Sequence, residues 1–162
     1  MFVPGDPRID ELRRLATRAS AAGLHDQDRP HWRELVDELL GSINQADGHE
    51  SRRHLRAAAE LELDLVAPEE IASLVTTTVG AGGISLVIKE PLEVGTLLDL
   101  SIQLPQRPVP LFCRAKVVWR RGDELGAAFF DLFQNDRELL EAVVVHALLA
   151  DLGPLHSIRG IE

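Results

Sequence analysis

The 162 residues of the chain suffice for one core-forming domain with a small appendage and leave no room for two large domains. Seventeen Lys and Arg stand against 26 Asp and Glu, and the resulting net charge of −9 repels phosphate backbones and anionic lipid, which argues against generic nucleic-acid binding. A content of 45% hydrophobic and 27% charged residues excludes a chain disordered throughout.

The single cysteine, Cys113, has no partner for an internal disulfide, and no charged start leads into an apolar leader with a cleavage site. Together these predict a cytoplasmic protein. The apolar run Ala142 to Ala150 is broken by His146 and is too short for membrane insertion. Tyrosine is absent and aromatics make up 4%, so few platforms exist on which bases could stack.

Asp6-Pro7 reads as an N-cap followed by proline at the first helical position, and Ile9, Leu12, Leu15, Ala16 and Ala19 recur at helical spacing up to Gly23. A second start, Asp28 with Pro30, precedes Trp32, Leu35, Val36, Leu39 and Leu40 on one helix face, which ends near Gly41. The two form an N-terminal helical hairpin over residues 1–45. Its apolar stripes need a partner surface: the rest of the chain, a second copy in a homodimer, or a regulatory protein docking on Trp32, Leu35 and Leu39. The polar stretch Ser42 to Ser51 reads as a linker and sets the domain boundary.

From Leu55 to Leu65 the apolar period becomes two, predicting one long half-buried strand. Further strands are expected at Leu74 to Val79, Ile84 to Ile88, Leu98 to Leu104, from Leu111 to Arg120, and Leu125 to Phe130, with Arg121-Gly122-Asp123-Glu124 as a hairpin turn. Six strands on short turns imply a mainly β fold, an antiparallel barrel or sandwich. Asn135 is the expected cap of a terminal helix, with Glu138 three residues on, and Gly153-Pro154 its expected stop. The body then spans residues 50–153, and residues 154–162 form a tail.

No catalytic constellation emerges, and an enzyme is not expected. The run Gly80 to Gly83 lacks the Lys and Ser/Thr of a phosphate loop. Cys113 lies on the apolar face of its strand, the place of an inert buried thiol. His49 and His54 match no zinc spacing, and no metal site is expected. The notable charge cluster is Arg52, Arg53 and Arg56, where linker meets first strand. Guanidinium forks suit phosphate oxygens and stack on purines, so a small dianionic nucleotide is one reading. Pairing with Glu50, Glu60 and Glu62 is the other.

The segment Arg52-Arg-His-Leu-Arg56 resembles the Arg-x-x-x-Arg signature of PilZ domains. Thr78-Val-Gly-Ala-Gly-Gly83 resembles the second motif of that family, Asp/Asn-x-Ser-x-x-Gly, and Val117-Val-Trp119 with Leu125 to Leu132 resembles its last two strands. The resemblance covers roughly residues 50 to 150. It implies a six-stranded antiparallel β-barrel closed by a C-terminal helix. It also implies a site for the second messenger cyclic di-GMP at Arg52, Arg53, Arg56, Thr78, Gly80 and Gly83. Thr78 stands where the family has Asp or Asn, and Gly80 where it has Ser. Each lost hydrogen bond to the ligand costs on the order of 1 to 3 kcal/mol, so two predict a site at least roughly 30-fold weaker.

Two functions follow from the resemblance. The first is a non-enzymatic adaptor that acts by protein contacts in bacterial control of motility, pili or exopolysaccharide, with weak or lost cyclic di-GMP binding. The alternative is a functional receptor in which the ligand orders the linker and moves the hairpin. A receptor requires the arginines, Thr78, Gly80 and Gly83 to converge on one open surface. An adaptor requires an exposed apolar patch, on the hairpin or on the barrel.

Overall fold

A computed structural model describes residues 5–47, 53–105 and 107–159. Helix α1, Pro7–Ala21, starts as expected: the Asp6 side chain accepts from the Arg8 backbone N–H and Pro7 occupies the first turn. It buries Ile9, Leu12, Leu15, Ala16 and Ala19. Helix α2, Arg29–Asp47, buries Trp32, Leu35, Val36 and Leu39. Arg18 and Asp28, 2.6 Å apart, tie the short loop between the helices.

Helix α2 runs past Gly41, so the expected linker from Ser42 is helical up to Asp47. The reason lies in its stripe, which Leu40 and Ile43 continue by packing against the core, so burial outweighs the glycine's poor helix propensity.

The predicted first strand is two strands. β1, Arg56–Ala58, and β2, Glu62–Ala67, both pair antiparallel with β3, Ile71–Gly80. Between them Thr76 bridges the ladder: its N–H donates to the Leu61 carbonyl at 3.0 Å, and its hydroxyl donates to the Ala59 carbonyl at 2.7 Å and accepts from the Leu61 N–H at 2.8 Å. Leu55, Ala57, Leu61, Leu63 and Leu65 stay buried across the break, so the alternation predicts the faces correctly although the strand is interrupted.

The remaining strands are β4 (Gly83–Val87), β5 (Leu97–Ile102), β6 (Leu111–Arg121) and β7 (Glu124–Phe130). The order β3-β2-β5-β6-β7-β4, closed by β4 pairing with β3, makes a six-stranded antiparallel barrel with β1 as an additional strand. Closure leaves no open edge in the barrel itself. Gly122, with φ of 58°, makes the predicted β6–β7 turn, a left-handed position that glycine adopts without strain.

Helix α3, Gln134–Arg159, packs on α1, β1 and β3. It begins one residue before the expected cap: Asn135 lies in the first turn, and its side-chain oxygen accepts from Arg29 at 2.8 Å. Gly153-Pro154 does not end it. A proline removes one backbone donor, and the helix continues across that gap. One continuous core links both hairpin helices, the barrel interior and α3. The hairpin is thus built into the domain.

Candidate functional site

Two glycines govern how the segment preceding β1 meets the barrel. A Cβ at Gly80 would lie 2.6 Å from the Leu55 carbonyl oxygen, and one at Gly82 would lie 2.6 Å from His54 Cδ2. The backbone at Leu55 and the imidazole of His54 therefore occupy the space that side chains at 80 and 82 would need. Register agrees, since Arg56 pairs with Gly80 and Ala58 with Thr78. The arginine segment lies directly on the glycine segment.

Beside this contact opens a cleft of about 220 Å³, whose lining includes Arg53, Arg56, Thr78, Gly80, Gly83 and Trp119. Five of the six residues expected to hold cyclic di-GMP thus share one surface. The sixth, Arg52, lies outside the described residues. The polar groups on the β3 wall are already engaged. A bulge between Thr76 and Thr78 turns two neighbouring hydroxyls toward Ser85: Thr78 Oγ1 lies 2.5 Å and Thr77 Oγ1 2.7 Å from Ser85 Oγ. A guanine edge offered to Thr78 would compete with Ser85 for one hydroxyl.

Trp119 and Gly126 form the other wall. A Cβ at Gly126 would lie 2.1 Å from Trp119 Nε1, so the indole rests on a bare backbone, and the Arg121 guanidinium stacks 5.1 Å from its centroid. Gly83 meets β7 as closely, with the Ala127 carbonyl 2.1 Å from its would-be Cβ.

His54, Ser85 and Trp119 join the site although sequence reasoning did not select them. His54 stood inside the arginine run, and the signal that could have found it was Gly82, whose bare backbone leaves room for the imidazole. Burial, followed by the charge of Arg137, pushes the His54 pKa down; Arg33 and Arg53 act in the same sense and Glu141 opposes them.

The docking residues proposed on the hairpin are placed differently. Trp32, Leu35 and Leu39 are 1 to 2% exposed, and the indole N–H of Trp32 donates to Glu141 at 3.2 Å. The stripe is spent on the chain's own core, because α3 supplies both apolar surface and an acceptor. Exposed apolar residues occur instead on the barrel and at the start of α3, notably Phe112 at 66% and Phe133 at 77%. Cys113 is partly buried, and burial pushes its thiol up to about 12, which fits an inert thiol. Among the described residues no group of three His, Cys, Asp or Glu could hold a metal ion, and no helix is long and apolar enough to cross a membrane.

Against known proteins, the model of the PilZ domain family matches residues 50–146. No curated protein matches the sequence. Among solved structures, the inhibitor of motility of Bacillus subtilis is similar with a TM-score of 0.52 and 22% identity, covering 62% of this chain and 53% of that one. This chain therefore spans about half the length of that protein. The PilZ domain of CeSA from a cellulose-synthesizing bacterium aligns at a TM-score of 0.39 and 14% identity, over 60% of this chain and 97% of that one. A pathogenic protein of Xanthomonas campestris, described as a tetrameric PilZ domain self-assembled via a helical bundle, aligns at 0.42 and 17%, over 94% and 83%.

Proposed function

The chain belongs to the PilZ domain family, a family of regulatory cyclic di-GMP-binding domains rather than enzymes, and from that membership we propose that it is an adaptor in the cytoplasm. It acts by protein contacts in bacterial control of motility, pili or exopolysaccharide, and its own cyclic di-GMP binding is weak or lost. The observation that carries this reading is the contact at Gly80: where the family places a serine, the Leu55 carbonyl stands 2.6 Å from the would-be Cβ. The hydroxyl is absent and its space is filled by backbone. Thr78, the other departure, already holds Ser85. With Trp32, Leu35 and Leu39 buried, the partner surface moves to the barrel and the start of α3, where Phe112 and Phe133 are exposed.

The receptor reading keeps one observation in its favour, the convergence of Arg53, Arg56, Thr78, Gly80 and Gly83 on one cleft. Isothermal titration of cyclic di-GMP into the full chain separates the two. The adaptor reading expects no saturable heat at low-micromolar protein. Saturable binding that disappears in Arg56→Ala overturns it in favour of the receptor.

A further inference from the structure

A second cleft, of about 550 Å³, lies on the far side of His54, between α2, α3 and the arginine segment. Four guanidiniums line it, those of Arg29, Arg33, Arg53 and Arg137, together with three carboxylates, those of Asp26, Glu138 and Glu141. The carboxylates are all taken by the two α2 arginines. Arg29 holds Glu138 at 3.0 Å and also pairs with Asp26. Arg33 holds both oxygens of Glu141, at 2.5 and 2.6 Å. Arg53 and Arg137 have no carboxylate partner among the described residues. In a chain of net charge −9, two unneutralised forks from separate elements therefore face one cavity.

We propose that this cleft is a phosphate-accepting site in which Arg53 and Arg137 grip the phosphoryl oxygens. Two planar forks supplied by separate elements suit a tetrahedral oxyanion with several acceptor oxygens. His54 lines the same cavity and adds a neutral ring N–H that can donate to the same group. The field of Arg137, Arg33 and Arg53 on His54, with Glu141 alone opposing, marks the place as locally cationic. The cavity exceeds what a single inorganic ion fills, so the ligand class is a phosphate ester or a condensed phosphate. Arg137, in the first turns of α3, is the residue that distinguishes this site from the barrel cleft, whose lining does not include it.

The proposal stands apart from the adaptor reading, and the test keeps the two separable. Pyrophosphate and cyclic di-GMP are each titrated into the full chain, with backbone and His54 imidazole NMR signals as readout, and repeated in Arg137→Gln, Arg53→Gln and Arg114→Gln. Arg137 makes no side-chain hydrogen bond among the described residues, so its variant keeps the fold, and Arg114→Gln on the outer barrel wall controls for bulk charge. Saturable pyrophosphate binding that moves His54 is expected, about tenfold weaker in Arg137→Gln and in Arg53→Gln and unchanged in Arg114→Gln. If cyclic di-GMP shows the same dependence on Arg137, the phosphate is that of a nucleotide; if only pyrophosphate does, it is a condensed phosphate. Absence of saturation by either probe, or equal weakening by all three variants, overturns the proposal. Cyclic di-GMP binding that ignores Arg137 but requires Arg56 defeats the adaptor reading and leaves the pyrophosphate result to decide the cleft.

Discussion

The barrel wall and the seam between the hairpin and α3 are both buried, yet they are held by different physics. The wall is a backbone ladder around an aliphatic interior in which Leu65, Leu98, Leu100, Ile102 and Leu125 are fully enclosed. The seam carries charge into the core: Glu138 and Glu141 have side chains 7% and 3% exposed, neutralised by arginines more than a hundred residues away in sequence. A ladder tolerates changes of side chain as long as the alternation holds. A buried ion pair does not, because removing one member strands the other. The seam is therefore the more specific joint; it lines the second cleft through Arg29, Arg33, Glu138 and Glu141, whereas the first is lined by the barrel and the arginine segment.

The sharpest way to break this contrast is Trp32→Ala, which removes a fully buried indole and a donor to Glu141. A loss of about 4 kcal/mol is expected, or roughly 10 °C in Tm for a chain of this size. Trp119 then remains the sole tryptophan, so its fluorescence follows the wall while far-UV circular dichroism at helical wavelengths follows the seam. The single core predicts coincident transitions; separate ones would make the hairpin an independent unit.

A smaller effect tests the wall. Gly80→Ala places a methyl against the Leu55 carbonyl and is expected to cost about 1 to 3 kcal/mol. Hydrogen exchange should speed up at Arg56 to Ala58 and not at Leu98 to Ile102. Unchanged protection of β1 would mean that the glycine contact does not hold the strand.

The smallest effect is that of pH. His54 is held toward its neutral form by burial and by Arg137, Arg33 and Arg53, against Glu141. A depressed folded-state pKa means that the unfolded chain binds the proton more readily, so this stabilisation is present above the usual histidine pKa and is lost as pH falls through the folded value. Because His54 is only partly buried, the wild type should lose roughly 1 to 3 °C of Tm more than His54→Gln on going from about pH 7 to about pH 5. An equal loss in both proteins would remove His54 from the contact.

Much of the wall was legible in the sequence, because alternation along Leu55 to Leu65 and Leu98 to Leu104 reports a face directly. The break at residues 59–61 was not, since it depends on a hydroxyl of β3 that no local period announces. The hairpin's two stripes were visible, but what covers them was not: amphipathicity shows that Trp32 and Leu35 need a neighbour without naming α3. The glycines at 80 and 82 read as a turn, and their meaning, close approach by Leu55 and His54, came only with the pairing of β1. Arg137 carried no signal at all, being one arginine in an ordinary helical turn.

The hydroxyl of Thr76 has a consequence for how this family member can change over generations. It bridges the joint between β1 and β2, and the barrel closes by the pairing of β4 with β3, without β1. A one-residue insertion or deletion between Ala59 and Leu61 would slide the arginine segment along Gly80 and turn Leu55 and Ala57 away from the core, while Leu63 and Leu65 keep their places. The arginine arm can thus change register while the barrel pairs keep theirs, but only with loss of the core contacts of Leu55 and Ala57, so ligand response and stability are coupled at this joint.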